Sequence, residues 1–215
     1  MLYSLYCDKD CRRFRRLLDA WPKGKPKAVI YFLIHSNDTK LMDALRRLDQ
    51  FFNDEYRYPV VIFVNTEGKT EKRLQAIRSM TNSMIFIQTV AFDIRIHRAE
   101  WEIPEIICFK SIGYRHMCKF QAKTVYEQPI LEGVDYAWRL DDDSELLARV
   151  GYDVFEFMLS RNLTYGYYAR TTDRVDCVAY LWESTCRLDC LVYCDFCSYL
   201  KVQTSDNKTV LDCFP

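Results

Sequence analysis

The stretch AVIYFLIHSNDTKLMDALRRL, residues 28–48, changes its pattern at His35. Seven apolar residues, several β-branched or aromatic, come first, and the polar string His35 to Asp38 follows. Apolar residues then recur at the three- and four-residue spacing of a helix. This change predicts a buried strand, a turn and an amphipathic helix, which together begin a parallel β-α-β unit.

The same unit recurs downstream. Two further apolar runs, VVIFV after Pro59 and MIFIQ from residue 84, flank a helical pattern at residues 71–80. Successive units of this kind predict an α/β fold with a Rossmann-type, mostly parallel sheet and helices on both faces. Ligands bind such sheets beyond the carboxyl ends of the strands, where the string His35 to Asp38 should meet Asn65.

The rest of the chain continues the alternation. Residues 109–126 have a helical pattern that ends before Pro129, and residues 134–140 alternate as a strand does. The remaining predicted elements are a helix near residues 152–160, a strand near residues 165–169 and a helix near residues 175–191. A chain of 215 residues with this pattern predicts one large domain.

Composition excludes several classes of partner. Lys and Arg number 30, as do Asp and Glu, so no excess charge favours nucleic acid or a membrane surface. No apolar run approaches the roughly 18 residues of a spanning helix, and the first residues lack the apolar segment of a signal peptide. Residues 9–27 are basic, with apolar residues at helical spacing, and predict a short helix that covers part of the core.

Ten cysteines and three Asn-x-Thr sequons favour, weakly, a secretory compartment. Four of the cysteines, Cys186, Cys190, Cys194 and Cys197, fall on one helical stripe. No C-x-x-C pair has a matching partner pair, so we expect buried thiols or disulfides here in preference to zinc.

The acidic run in YAWRLDDDSELL, residues 136–147, raises the question of function. Alternation places Val134, Tyr136, Trp138 and Leu140 on one face of the strand, and Asp135, Ala137 and Arg139 on the other. Continuing this period places Asp141 and Asp143 on the side of Arg139, whose guanidinium is expected to relieve their repulsion when no metal is bound.

Two interpretations fit these carboxylates. Mg²⁺ and Mn²⁺ take one or two protein carboxylates and fill their other positions with water and substrate phosphates, so the Asp-x-Asp pair suits an enzyme that uses a nucleotide sugar. Alternatively, Asp143 or Ser144 caps a following helix or closes a turn, which is the commoner use of such residues.

Residues 111–143, SIGYRHMCKFQAKTVYEQPILEGVDYAWRLDDD, resemble the hallmark of glycosyltransferase family 15, the fungal Golgi α-1,2-mannosyltransferases. That hallmark reads Ser-x-x-Tyr-Arg-His-Met-Cys-Arg-Phe, and a Tyr-Trp-Arg-Val-Glu-Pro-Asp segment follows it at the spacing found here. The resemblance extends to NDEYRYPVVIFVN upstream and to YDVFEFMLSRNLTYGY and LWES downstream. It covers roughly residues 27–188.

This resemblance implies a GT-A fold, a GDP-mannose donor, Mn²⁺, a glycan or glycoprotein acceptor and retention of anomeric configuration, in the Golgi or secretory lumen. By position, it assigns the metal to Asp141 and Asp143. It assigns the donor to Tyr114, beside the phosphates and sugar, and to the loop that contains His35, Asn37 and Asp38.

Chemistry and position suggest the roles of three other residues of the hallmark. Arg115 fits either a phosphate contact or a surface ion pair. His116 shares an apolar helical face with Phe120, which favours a hydrogen-bonded core histidine over a catalytic base. We expect Cys118 to be packed in the core or to form a disulfide.

The sequence also departs from the family. Asp-Asp-Asp replaces Glu-Pro-Asp, and QAKTVY replaces the segment after the hallmark. After about Leu188 the family's block with the proposed catalytic Glu, and its later His, are not found, so we expect a chain that lacks the family's carboxyl-terminal part. The predicted domains are a basic helical, stem-like segment at 1–27, a GT-A domain at 28–190 and a divergent Cys-containing tail at 191–215.

Three hypotheses follow. The chain is a metal-dependent mannosyltransferase, or it is a catalytically silent homologue that binds nucleotide sugars, or it is a structural α/β domain with a charged turn. Metal-dependent binding of GDP separates the first two from the third, and release of GDP separates the first from the second.

Overall fold

The computed structural model describes residues 7–34, 38–65, 70–90, 106–107 and 110–167. The helices are α1 (Lys9–Asp19), α2 (Asp38–Leu48), α3 (Asp54–Tyr56), α4 (Glu71–Ser79), α5 (Ile112–Lys119) and α6 (Val154–Ser160). The strands are β1 (Ala28–Ile34), β2 (Val60–Asn65), β3 (Ile85–Val90), β4 (Ile106–Ile107), β5 (Lys110–Ser111) and β6 (Tyr136–Asp141). π turns at Asp49–Asn53 and Phe120–Thr124 continue α2 and α5, and a short 3₁₀ helix spans Pro129–Leu131.

The chain divides into two compact units. The first contains residues 1–103 and 112–166, and the second contains residues 104–111 and 167–215. Within the described part of the second unit, β4 and β5 pair as an antiparallel ribbon. Among the described residues, no helix is both long enough and apolar enough to cross a lipid bilayer.

The first unit is built on a parallel four-stranded sheet in the order β3-β2-β1-β6. This confirms the α/β prediction and its strand-helix-strand units. The order reverses at β1, because the chain first proceeds outward to β2 and β3 and later returns to place β6 on the other side of β1. Sheets of this kind bind ligands at such a reversal, beyond the carboxyl ends of the two strands. That point lies between Ile34 and Asp141, since Leu33 pairs with Asp141.

Helices cover both faces of the sheet, as the sequence predicts. All seven residues of β1 are buried and alternate between two apolar clusters. Ile30 and Phe32 pack with residues of α2, α4 and α6 on one face. On the opposite face, Val29 and Tyr31 pack with α1 and with the π turn that continues α5. This arrangement holds α5 over the face of β6 from which Arg139 projects.

Helix α1 belongs to this core, because Cys11 and Phe14 have no exposed surface. Asp10 ties the helix to two other elements. Its carboxylate accepts hydrogen bonds from Arg78 Nη2 of α4 at 2.7 Å and from the backbone N–H of Ile87 in β3 at 2.8 Å. Arg13 of α1 lies over the ring of Phe86, with its guanidinium carbon 4.3 Å from the ring centre. The predicted helix within residues 9–27 is therefore present and packs against the sheet.

The opposite, amino-terminal edge of the sheet is held by polar side chains. Asn53 Nδ2 donates to the carbonyl of Tyr58 at 2.8 Å, and its Oδ1 accepts from the N–H of the same residue at 2.8 Å. Asp49 accepts from Thr81 Oγ1 at 2.6 Å and from the N–H of Asn82 at 2.8 Å. These bonds fasten the π turn after α2 to the loops that precede β2 and β3.

Two local predictions are wrong. Val134 packs with the cluster opposite to Tyr136 and Trp138, because it precedes the strand and the two-residue period does not reach it. In the predicted strand at 165–169, residues 165–167 are irregular and both of their tyrosines are highly exposed, while residues 168 and 169 lie outside the described residues. Their alternation therefore lacks the burial that a strand requires. The predicted helix at residues 175–191 lies outside the described residues.

A disulfide joins Cys7 to Cys11 at the start of α1. Cys118, which we expected to be packed or bonded, is instead a free and exposed thiol, because its position on α5 faces away from the core. The Cys186 to Cys197 stripe lies outside the described residues.

Candidate functional site

The three carboxylates follow β6 in a closed turn. The N–H of Ser144 donates to the carbonyl of Asp141 at 2.9 Å, and the N–H of Asp141 donates to Ser144 Oγ at 2.9 Å. No helix follows within residues 145–150, and α6 is capped by Asp153. The helix-cap interpretation of Asp143 and Ser144 is therefore wrong, whereas the alternative that Ser144 closes a turn is confirmed. This turn presents its carboxylates at the reversal point of the sheet.

Each outer carboxylate has a cationic neighbour. Arg139 donates from Nε at 3.0 Å and from Nη2 at 2.8 Å to the same oxygen of Asp141, as the strand period predicts. Lys40 Nζ, in the first turn of α2, lies 3.7 Å from Asp143 Oδ2. The side chains of Asp141 and Asp143 are 53% and 61% exposed. Exposed ion pairs of this kind are weak, so both carboxylates remain accessible to a competing cation.

The middle carboxylate, Asp142, is half-buried between the other two. Burial, and then the neighbouring charge of Asp143, raise the pKa of Asp142 above its usual value, while Lys40 opposes the shift. A carboxyl group held in this way binds a proton more tightly in the folded chain than in the unfolded chain. The turn thus has unrelieved negative charge, which a bound cation would stabilise.

We expect Asp142→Asn to raise the free energy of unfolding at pH 7 by about 0.5 kcal/mol, because it removes this repulsion. The pKa of Asp142 is raised in the folded chain, so ionising this carboxyl destabilises the native state relative to the unfolded state. This destabilisation is complete only once the pH has risen through the folded pKa. The gain should therefore vanish below the unfolded value of 3.8. Urea unfolding at pH 7 and pH 3.5 measures it, and Asp141→Asn, which removes the Arg139 partner, should show no gain. A gain that is independent of pH contradicts the assignment.

Tyr114, on α5, lies beside this turn and is 42% exposed. The nearby thiol of Cys118, one helical turn along, and partial burial raise the pKa of Tyr114, with a further contribution from Asp141. Arg139 opposes the shift. These interactions place the Tyr114 hydroxyl within electrostatic reach of Arg139 and Asp141. The strand period predicts that Arg139 and Asp141 lie together, but it does not predict that α5 lies near them.

Tyr31 forms a buried support under this group. It pairs with Arg139 across the sheet, and its hydroxyl donates to Gln121 Oε1 at 3.2 Å. Burial, and then Tyr126, raise the pKa of Tyr31 far above its usual value, so the hydroxyl stays protonated. Sequence reasoning missed Tyr31, Gln121 and Lys40. The alternation within AVIYFLI could have assigned Tyr31 to the face of Arg139, but only with the strand order in hand.

The other predicted donor residues are less fully described. His35 and Asn37 lie outside the described residues. Asp38 begins α2 directly after that gap, and Arg115 lies within α5. His116 is half-buried, not enclosed in the core. The pairing of Leu33 with Asp141 places the end of β1 next to the carboxylate turn.

The donor set meets the requirements of a divalent ion that binds together with a substrate. Within the described residues no group of three or more His, Cys, Asp or Glu is arranged to hold a metal by itself. Two carboxylates on alternate residues, at an exposed turn, match ions that complete their coordination with water and phosphate oxygen. Asp141 and Asp143 fit such an ion.

A parallel sheet whose strand order reverses, with helices on both faces, defines the chain as an open α/β protein, a class that binds ligands at such a reversal. Comparison with known proteins identifies it further. The model of the family described as glycolipid 2-alpha-mannosyltransferase matches residues 8–190. The chain belongs to this family of glycosyltransferases, as the hallmark predicts.

Its relatives are yeast proteins of greater length. The probable mannosyltransferase KTR3 of Saccharomyces cerevisiae is 26% identical over 180 residues, which cover 75% of this chain and 43% of that protein. The glycolipid 2-alpha-mannosyltransferase of the same yeast is 28% identical over 178 residues, which cover 75% of this chain and 39% of that protein. The chain thus spans less than half the length of these relatives.

Solved structures share the fold. The mannosyltransferase Ktr4p of S. cerevisiae in complex with GDP superposes with a TM-score of 0.68 at 22% identity, over 87% of this chain and 58% of that chain. Core-mannan synthase A of Aspergillus fumigatus, in its Mn/GDP form, gives 0.63 at 23% identity, over 79% of this chain and 49% of that chain.

Proposed function

We propose that this chain is the nucleotide-sugar-binding part of a metal-dependent α-1,2-mannosyltransferase. It binds GDP-mannose and supports transfer of mannose, with retention, to a glycan or glycoprotein acceptor. The observation that carries this proposal is the acidic turn at the reversal point, with Tyr114 and Arg139 beside it. The family of the chain and the Mn/GDP form of a structural neighbour support it.

Each residue would have a distinct task in this function. Asp141 and Asp143 would hold Mn²⁺, which when bound neutralises charge on the departing nucleotide. Tyr114 would donate its hydroxyl to a phosphate oxygen. Residues His35, Asn37 and Asp38 would border the donor, and Arg115 would be a further phosphate contact.

We also propose a place and an organisation for the protein. The Cys7–Cys11 disulfide is typical of oxidising compartments, which supports the Golgi or secretory lumen as its location and glycosylation as its process. The division at 1–27, 28–190 and 191–215 stays a prediction, with the qualification that α1 from the first part packs in the core of the second.

Titration of the chain with GDP and GDP-mannose tests the function. Binding should require Mn²⁺, disappear with chelator, and be much weaker for UDP or ADP. Release of GDP in the presence of a mannoside acceptor identifies an active transferase, whereas binding without release identifies the silent homologue. If neither nucleotide binds in the presence of Mn²⁺, the proposal is wrong.

We expect Tyr114→Phe to weaken binding of GDP in the presence of Mn²⁺ by about tenfold, the typical effect of removing one hydrogen bond to a charged group. Because this side chain is 42% exposed, thermal stability should change little. Tyr152→Phe is a matched control, since Tyr152 is 55% exposed and precedes α6 on the other face of the sheet. Equal effects of the two substitutions would refute a specific role for the Tyr114 hydroxyl.

A further inference from the structure

We propose that Arg139 couples the binding of the metal to the binding of the diphosphate. In the absence of a cation its guanidinium occupies the carboxylate of Asp141. When a cation takes that carboxylate, the guanidinium is released and binds a phosphate oxygen of the nucleotide. This inference rests on the proposed function, because it assigns a role to one more residue of the same site.

The contact between Arg139 and Asp141 occupies one of the two oxygens of a proposed metal ligand. Nε at 3.0 Å and Nη2 at 2.8 Å converge on one oxygen of the carboxylate, so a metal must displace two hydrogen bonds to use that oxygen. The contact is also exchangeable. The two side chains are 44% and 53% exposed, and exposed pairs contribute little net stability.

The surroundings of Arg139 determine where its guanidinium can go. The strand fixes its backbone, and buried Tyr31 lies directly opposite it in the sheet. The guanidinium interacts with Tyr31, Cys118 and Tyr114 as well as with Asp141. Once released from Asp141, it stays on the same face of the strand, within electrostatic reach of Tyr114. An arginine and a tyrosine hydroxyl at the same end of a sheet are suitable donors for a phosphate.

Asp143 has a weaker cationic partner than Asp141. Asp141 is therefore the ligand whose availability to a metal depends on Arg139. Lys40 approaches Asp143 only to 3.7 Å and is a single point charge on a flexible stem. A cation can therefore reach Asp143 with little rearrangement, whereas full use of Asp141 requires Arg139 to leave.

Competition of this kind makes the two ligands cooperative. A diphosphate that engages Arg139 frees Asp141 for the metal, and a metal on Asp141 frees Arg139 for the diphosphate. By linkage, each ligand raises the affinity of the other by the same factor. The site would hold neither free metal nor free nucleotide tightly, but would hold the two together.

The substitution Arg139→Gln tests separately the competition with the metal and the contact with the diphosphate. Electron paramagnetic resonance of the free ion measures the binding of Mn²⁺ alone. We expect Mn²⁺ to bind alone about fivefold more tightly than in the wild type, which corresponds to loss of an exposed ion pair at the upper end of its usual strength. Binding of GDP at saturating Mn²⁺ should be about tenfold weaker, since a charged donor to the phosphate is lost. Arg139→Lys, which keeps the charge but not the fork, should show a smaller gain in Mn²⁺ affinity.

Arg149→Gln is the matched control. Arg149 pairs with Glu55 through Nη2 at 2.7 Å and is likewise exposed, but it lies away from the carboxylate turn. It should change neither affinity, and thermal unfolding should show that all variants are folded. In the Asp141→Asn background, Arg139→Gln should no longer raise the affinity for Mn²⁺, because the competition needs both partners.

The outcomes distinguish this inference from the function on which it rests. If the wild type binds Mn²⁺ and GDP together but Arg139→Gln leaves the affinity for Mn²⁺ alone unchanged or lowers it, the inference is wrong and the function stands. A gain that persists in the Asp141→Asn background also overturns it. If no variant binds Mn²⁺ or GDP, both the function and the inference are wrong.

Discussion

Asp141→Asn is expected to weaken binding of GDP in the presence of Mn²⁺ on the order of 100-fold, whereas in chelator neither the variant nor the wild type should bind GDP. The substitution keeps the shape of the side chain but removes the charge that a divalent ion needs from its first protein ligand, an effect at the upper end of the roughly 10- to 100-fold loss that outer-shell residues cause. Isothermal titration calorimetry with GDP in Mn²⁺ measures the affinity, and the same titration in chelator tests the requirement for the metal.

Folding should not explain that loss. Asp141 is exposed and its pair with Arg139 contributes about 1 kcal/mol or less, so the unfolding temperature should change little. Glu145→Gln provides the matched control, because Glu145 follows in the same segment, is 54% exposed and pairs with Arg47 at 3.5 Å. It removes one negative charge near the turn without removing a predicted ligand. If Glu145→Gln weakens binding as much as Asp141→Asn, the effect is one of general charge and the metal assignment is wrong.

Asp10→Ala is expected to lower the free energy of unfolding by about 3 kcal/mol, because it leaves a partly buried charge and a buried backbone donor without their partner. The change leaves the N–H of Ile87, in the buried strand β3, and the guanidinium of Arg78 without the carboxylate that joins them. Urea denaturation followed by tryptophan fluorescence measures the loss.

Two variants test the cause of that loss. Asp10→Asn keeps an acceptor for the N–H of Ile87 but loses the ion pair, so it should cost about half as much as Asp10→Ala. Asp43→Ala removes an aspartate that is also 2.7 Å from an arginine, Arg46, but is 53% exposed. It should change stability by less than about 0.5 kcal/mol. Comparable losses in Asp43→Ala and Asp10→Ala would show that burial is not the deciding factor.

The elements that the sequence predicts well are those whose pattern is local. The strand AVIYFLI, the helix after it and the two following strands each have an uninterrupted period, so their type follows from about ten residues. The pair between Arg139 and Asp141 is equally local, since two residues two apart on a strand share a face. The acidic run after β6 was left open between a metal site and a cap or turn, because the same carboxylates at the same spacing suit both uses.

Relations between distant parts of the chain were harder to predict. No local pattern states that β6 returns to the side of β1, yet this places Asp141 beside Leu33 and Tyr31 behind Arg139. The position of Tyr114 near the carboxylates depends on how α5 packs over that face, and the family resemblance, not the periodicity, suggested it. Cys118 was misjudged for a related reason, since the helical face that it occupies points away from the core.

The complete burial of β1 has a consequence for how this protein is made. The seven residues of β1 include no charged residue and no proline. A segment of this composition promotes intermolecular association for as long as the strand is exposed. One edge of the strand is closed by β2, but the other waits for residues 136–141, which leave the ribosome about one hundred residues later. Slower synthesis or a cooler host would lengthen that exposed interval, whereas a chaperone that holds the nascent chain should raise the soluble yield.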